Sequence, residues 1–311
     1  MAETNLLMTF YGDDLTGSTD AMEALTLNGV PTALFLKPPT PGELTGRFTD
    51  LRAVGVAGVS RSMSPSQMDD ALYPAFSALR NLGAPLCHYK VCSTFDSSPT
   101  VGSIGHATDI GQAVFGSSFT PMLVAAPSIG RQMVFGNLFA TVGDVTYRLD
   151  RHPTMSRHPI TPMNEADLRL HLAQQTQKTV GLIDVLHLAE GNEALDGRLS
   201  ALQAEGHEIV LFDTMSEQHL TQIGRLIWHH TGGQPLFVAG SSGVEYALTA
   251  WWQQIGEIEA PAPRPTPGVV DQLIVLSGSA SPVTAVQIDW AIEHGYVGQR
   301  LDTVQLLDPA T

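Results

Sequence analysis

The sequence predicts an α/β protein, a mostly parallel sheet covered by helices on both faces. Three observations carry this. Short apolar runs alternate along the chain with segments of helical periodicity, the order expected of strand, crossover helix and parallel strand. The runs tend to end in glycine, serine or charged residues, the composition of loops at strand ends. With 311 residues and 43% hydrophobic content, the chain can bury a substantial core, as one large domain or two.

In chain order, NLLMTFY (5–11) reads as the first strand. TGSTDAMEALTLNG follows as a helix, with Thr16 and Ser18 as cap candidates and Gly29 as its stop. PTALFLK (31–37) and RAVGVAGVS (52–60) are the second and third strands. After SRSMSP comes a helix with Ser64 as N-cap, Pro65 in its first turn and Gly83 beyond its end. PLCHYKV (85–91) is a strand, a glycine- and serine-rich stretch leads into a helix near 103–115, and PMLVAA (121–126) is a strand opening onto PSIGRQ. Segment 133–149 fits a β-hairpin or an irregular excursion, and Asn164 can cap a helix through 175 with Asp167 near its N-terminal dipole. TVGLIDV and HEIVLFD read as strands, each followed by a helical pattern; in the second, Leu220, Ile223, Leu226 and Ile227 share a face. PLFVAGSSG (235–243) is one more buried strand, and its helix runs to about 255.

EIEAPAPRPTPG (257–268) is rich in proline and alanine, which favours an extended, semi-rigid linker. Beyond it, 269–311 holds a strand LIVL, a helical pattern and a short further strand, too little to enclose a core. It reads as the opening of a second domain whose remainder is absent.

Sixteen basic against 31 acidic residues give a net charge of −15, which argues against a nucleic-acid or anionic-membrane surface. A small metabolite held by local positive groups fits this balance, and a homo-oligomer stays open. No apolar run approaches the roughly 20 residues of a membrane span, and the N-terminus lacks a basic flank before a hydrophobic core, so a cytoplasmic protein is expected. Cys87, His88 and Cys92 have no second ligand pair at suitable spacing, so both cysteines read as buried reduced thiols rather than zinc ligands.

Loops at strand ends hold most of the unusual polar residues, where open parallel sheets bind ligands. In FYGDDLTGSTD, Asp13 and Asp14 point apart if the strand continues extended, so one can accept a proton while the other orients the loop. A plainer reading makes Asp14 the cap of the following helix. Ser60 and Arg61 end the third strand, and an arginine fork suits a carboxylate or phosphate, or pairs with a surface acid. Lys90, followed by Ser93, Thr94, Asp96, Ser97 and Ser98, can bind an anionic group or simply precede an ordered serine turn. No G-x-x-x-x-G-K-S/T phosphate loop occurs. In SGSASPVT (277–284), small residues before a helix admit a phosphate, or Ser281 is only the N-cap; GSSG (240–243) invites the same two readings.

Together these stretches resemble the four-carbon acid sugar kinase family. YGDDLTGSTDAMEAL is similar to its A-D-D-x-T-G-x-x-D motif, and SR at 60–61, YK at 89–90, APSIGR, HPITPMNEADL, VAGSSG and LSGSASPVTAVQI match in order along nearly the whole chain. The resemblance implies an acid-sugar-binding domain at 1–256, the linker at 257–268, and at 269–311 the start of a C-terminal α/β nucleotide-binding domain. It implies phosphorylation by ATP, with Mg²⁺, of the terminal hydroxyl of threonate, erythronate or 3-oxo-tetronate. Asp13 and Asp14 would then be catalytic. Arg61, Lys90, Ser60, Ser93 and Thr94 would bind the sugar acid, and Ser277, Gly278, Ser279, Ser281 and Thr284 the nucleotide, with no protein-bound metal. Two departures stand out. Where many members have K-x-D-S-T-x-R-G-N, this chain has KVCSTFDSSPTVGSIG, with cysteine in the aspartate's place and no arginine, the mark of a distinct subgroup. It also stops before the family's G-G-D/E-T segment, so an inactive fragment, or a non-catalytic acid-sugar-binding protein, is the alternative to a kinase.

Overall fold

The computed structural model describes residues 5–261, 268–278, 282–302 and 305. The chain divides into two units, Met1–Ala262 and Pro263–Thr311. The strands of the first unit are β1 (Met8–Gly12), β2 (Thr32–Phe35), β3 (Ala53–Ala57), β4 (Leu86–Lys90), β5 (Thr120–Leu123), β6 (Arg131–Val134), β7 (Asn137–Val142), β8 (Val145–Arg148), β9 (Val180–Ile183), β10 (Ile209–Phe212) and β11 (Leu236–Gly240). Its helices are α1 (Leu15–Leu27), α2 (Pro65–Asn81), α3 (Ile104–Phe115), α4 (Leu168–Leu172), α5 (Val185–Ala189), α6 (Asn192–Ala204), α7 (Glu217–His229) and α8 (Gly243–Gln254). The second unit carries α9 (Pro282–Glu293).

Eight strands pair in the order β2-β3-β1-β4-β11-β5-β10-β9, every pair parallel. The central strands β1, β4 and β11 are buried along their whole length; β11 accordingly reads as an unbroken apolar run, while β4 carries His88 and Lys90 buried within it. On one face Tyr11, Val54, Tyr89 and Phe237 pack with Phe76 of α2 and Phe115 of α3. On the other, Phe10, Leu86 and Val238 meet Leu25 of α1 and Leu248 and Trp252 of α8. From β1 the chain moves outward to β2, and from β3 it crosses back to β4 on the other side of β1. The connections therefore diverge between β1 and β4, the kind of point at which open parallel sheets bind ligands beyond their strand ends.

Several local expectations change. Helix α1 is capped by Asp14 rather than by Thr16 or Ser18, because the chain leaves the strand directly after Gly12. The helix expected from Asn164 through 175 shortens to α4, capped by Asp167, whose carboxylate accepts from Arg169 N. The 133–149 excursion is part of a three-stranded antiparallel sheet, β6-β7-β8. In the second unit 268–278 has no regular secondary structure and no strand forms at LIVL or after α9 among the described residues, since a strand requires a paired neighbour for its backbone groups. The proline-rich stretch begins packed on the first unit: Ile258 is buried, and Glu257 pairs with Arg52 at 2.5 Å.

Candidate active site

Backbone hydrogen bonds lace three strand ends together at this point of the sheet. Asp13 N donates to Lys90 O at 2.9 Å, Arg61 N donates to Asp13 O at 3.0 Å, and Gly58 N donates to Gly12 O at 3.0 Å. Arg61 lies in the single helical turn Ser60–Ser62 that follows β3, which swings its side chain over the end of β1. Its guanidinium grips two carboxylates at once. Nε and Nη2 reach Asp13 Oδ2 and Oδ1 at 3.0 and 2.6 Å; Nη1 and Nη2 reach Asp14 Oδ2 and Oδ1 at 3.0 and 2.9 Å. Four of the five N–H donors of the fork are thereby engaged. The expected divergence of the aspartates does not occur, because it required the strand to continue.

Asp14 does two things. Besides binding Arg61, its Oδ1 accepts from Gly17 N at 2.7 Å as the α1 N-cap, so capping and site membership coexist. Gly17 is required by close approach: a Cβ there would stand 2.5 Å from Asp14 Oδ1 and 3.2 Å from Lys90 Nζ. Burial raises the Asp13 carboxyl above its ordinary range, and its hydrogen bonds to Arg61 oppose that rise. Burial alone would weaken the Arg61 cation, but the bonds and charge of Asp13 outweigh it and hold the guanidinium protonated.

Lys90 is buried, with its ammonium 3.1 Å from Asp20 Oδ2 and donating to Val91 O at 3.1 Å. Around it runs the 92–98 loop. Thr94 Oγ1 donates to Asp96 Oδ1 at 2.8 Å and lies 2.9 Å from Cys92 Sγ, while Asp96 stands 3.9 Å from Arg61. Cys92 is half-buried, not enclosed like Cys87, and burial followed by the Asp96 charge pushes its thiol up. Ser60 is buried against the Tyr89 hydroxyl at 2.9 Å, and Ser93 is half-buried. His88 faces the opposite sheet side from Cys87 and pairs with Glu245 at 2.6 Å. Among the described residues no group of three or more His, Cys, Asp or Glu is placed to hold a metal.

The fold brings Asp13, Asp14, Arg61 and Lys90 together and adds Asp20, not among the expected site residues, which answers Lys90 from α1. Its signal was its place as the last aspartate of GDDLTGSTD, three residues after Gly17. His171, whose Nε2 lies 3.0 Å from Ser97 Oγ and so props the loop, carried no local signal. In the second unit Ser277 and Gly278 are exposed and Thr284 is half-buried in α9, whereas Ser279 and Ser281 lie outside the described residues.

Residues 8–248 match the family model described as a sugar-binding N-terminal domain. A Paraburkholderia graminis protein named 3-oxo-isoapionate kinase is 52% identical over 97% of this chain, and the chain spans 64% of its length. A Pseudomonas fluorescens 3-oxo-tetronate kinase is 31% identical over 96% of the chain, which covers 67% of it. Among solved structures, a Salmonella typhimurium protein described as a putative tRNA synthase superposes with a TM-score of 0.80 at 30% identity, over 98% of this chain and 68% of that one. A Haemophilus influenzae protein from a domain-of-unknown-function family follows at 0.73 and 28%, over 92% and 65%. With that domain spanning most of its length and relatives of these names along nearly all of it, the chain belongs to the four-carbon acid sugar kinase family.

Proposed function

We propose that this chain is the acid-binding part of an ATP-dependent kinase that phosphorylates the terminal hydroxyl of a small sugar acid. The names of the relatives favour a 3-oxo acid over threonate or erythronate as its acceptor. One observation carries the reading: Asp13, Asp14 and Arg61 converge, with Lys90 alongside, at the C-terminal ends of β1 and β4, where the chain connections diverge.

The chemistry follows from competition for the guanidinium. A substrate carboxylate presents the same planar pair of oxygens as Asp13 and Asp14, and binding it on Arg61 loosens the grip on one of them. The released aspartate then accepts the proton of the acceptor hydroxyl, and its raised affinity for protons suits Asp13 to that task. Lys90 adds positive charge where the phosphoryl group is transferred. Asp13 and Asp14 hold Arg61 before the acid binds and one of them takes the proton afterwards, which leaves no carboxylate pair for Mg²⁺, so the ion would arrive with the nucleotide phosphates. Unpaired thiols at Cys87 and Cys92 accord with a reducing, cytoplasmic setting.

Calorimetric titration of this chain with 3-oxo-tetronate, 3-oxo-isoapionate, threonate and erythronate tests the binding half. ADP release from the chain extended to the length of its relatives, with ATP and Mg²⁺, tests the kinase half. Binding without ADP release on any acid leaves a non-catalytic acid-sugar-binding protein, and binding of none sinks both readings.

A further inference from the structure

Side chains alternate between the two faces of a strand, so His88 and Lys90 of β4 share the face covered by α1 and α8. His88 is fully buried there among apolar residues. Its Nδ1 lies 2.6 Å from Oε1 of the equally buried Glu245, on α8, and its Nε2 lies 3.1 Å from Gly240 O. A carbonyl can only accept, so Nε2 carries a hydrogen. Both ring nitrogens are thus engaged, one with the Gly240 carbonyl of β11 and the other with the Glu245 carboxyl of α8.

The hydrogen bonds do not stop at this pair. Gly240 O also accepts from Val91 N at 2.7 Å, Val91 O accepts from Lys90 Nζ at 3.1 Å, and the same ammonium meets Asp20 of α1 at 3.1 Å. A continuous line thus runs from α8 through His88 and the root of the 91–98 loop to α1. Burying it is costly: Glu245 Oε2 is enclosed with no partner, and an apolar pair of similar size would stabilise the fold at least as well. Packing alone gives no reason for a histidine and a glutamate at these places.

We propose that His88 and Glu245 are positioning residues for acid binding, fixing the Gly240 carbonyl and through it Val91, Lys90 and the loop that follows. Neither touches the substrate. The inference rests on the reading of the Arg61 cluster as a sugar-acid site.

Three variants test it: Glu245→Gln, whose amide can still donate to Nδ1, Glu245→Leu, which cannot, and His88→Gln, which reaches one partner but not both. Acid affinity is read by calorimetry and the mobility of 91–98 by hydrogen–deuterium exchange, with thermal unfolding alongside. Glu245→Leu and His88→Gln should weaken binding by about tenfold or more and speed exchange in 91–98, with Glu245→Gln close to wild type in both. A purely structural pair would lower the unfolding temperature alone; folded variants with unchanged affinity and exchange overturn the proposal. So does an equal loss in Glu245→Gln and Glu245→Leu. Should Glu245→Leu fail to fold, His88→Gln against Glu245→Gln decides. Should wild type bind no acid, the sugar-acid reading falls by itself. The exchange of 91–98 in His88→Gln then still shows whether the pair sets the loop.

Discussion

Arg61 and Asp13 are joined by two parallel hydrogen bonds, Nη2 to Oδ1 at 2.6 Å and Nε to Oδ2 at 3.0 Å, and the Asp13 side chain is only 2% exposed. A carboxylate so enclosed depends on its partner for charge compensation. Arg61→Ala is expected to lower stability by about 3 kcal/mol in urea unfolding, because it strands a buried charge. Asp13→Asn in the same chain should recover most of that loss. A double variant no more stable than Arg61→Ala would mean that Asp13 is protonated in the fold.

Asp14 allows its two duties to be separated. Asparagine caps helices about as well as aspartate, so Asp14→Asn should leave stability within about 0.5 kcal/mol, whereas Asp14→Ala should cost about 1 kcal/mol. Asparagine cannot take a proton, nor pair with Arg61 as an anion. In the chain extended to the length of its relatives, with Asp13 as the base, Asp14→Asn should keep turnover within about tenfold, whereas Asp13→Asn should lower it by about 100-fold. A loss of about 100-fold in Asp14→Asn with turnover kept in Asp13→Asn would assign the base to Asp14 instead.

At Gly17 a general rule is expected to fail. Glycine to alanine inside a helix ordinarily gains about 0.5–1 kcal/mol. Here the added Cβ stands 2.5 Å from Asp14 Oδ1 and 3.2 Å from Lys90 Nζ, so the carboxylate must give up its place on the cap. Gly17→Ala should therefore change stability by less than about 1 kcal/mol, the helix gain offset by the lost cap, and yet weaken acid binding by about tenfold. Stabilisation with unchanged affinity would show that the crowding relaxes harmlessly.

The parallel sheet was legible because β1, β4 and β11 are buried on both sides and leave mostly apolar runs, unbroken in β11, between helical periods. That Asp13, Asp14, Arg61 and Lys90 lie together was legible because each stands at the end of a strand and parallel strands bring those ends to one edge of the sheet. What escaped depends on how distant segments stack. His88 and Glu245 are 157 positions apart, and nothing in CHYK announces that α8 will lie above it. Asp20 becomes a partner of Lys90 only once α1 lies over β4, and His171 touches Ser97 across 74 positions. LIVL failed differently, since four apolar β-formers predict a strand from composition, while pairing decides whether one forms.

His171 supplies a pH dependence with a definite sign. Burial beside Ser97 and the Phe95 ring lowers its pKa from 6.5 to about 4, with the Glu165 charge opposing. The folded state therefore binds this proton later than the unfolded chain as pH falls. Between pH 6.5 and about 4 the unfolded state holds more protons, and stability is lost steadily across that window by at most about 3 kcal/mol. Burial raises the carboxyls of Asp13 and Asp213, which act in the opposite sense, so the wild-type profile alone mixes these effects. The difference between wild type and His171→Gln isolates the histidine: urea midpoints measured from pH 7 to 4 should fall less in the variant. Parallel profiles would mean that the imidazole gains its proton in the fold as readily as in the unfolded chain, and that the prop under Ser97 survives acidification.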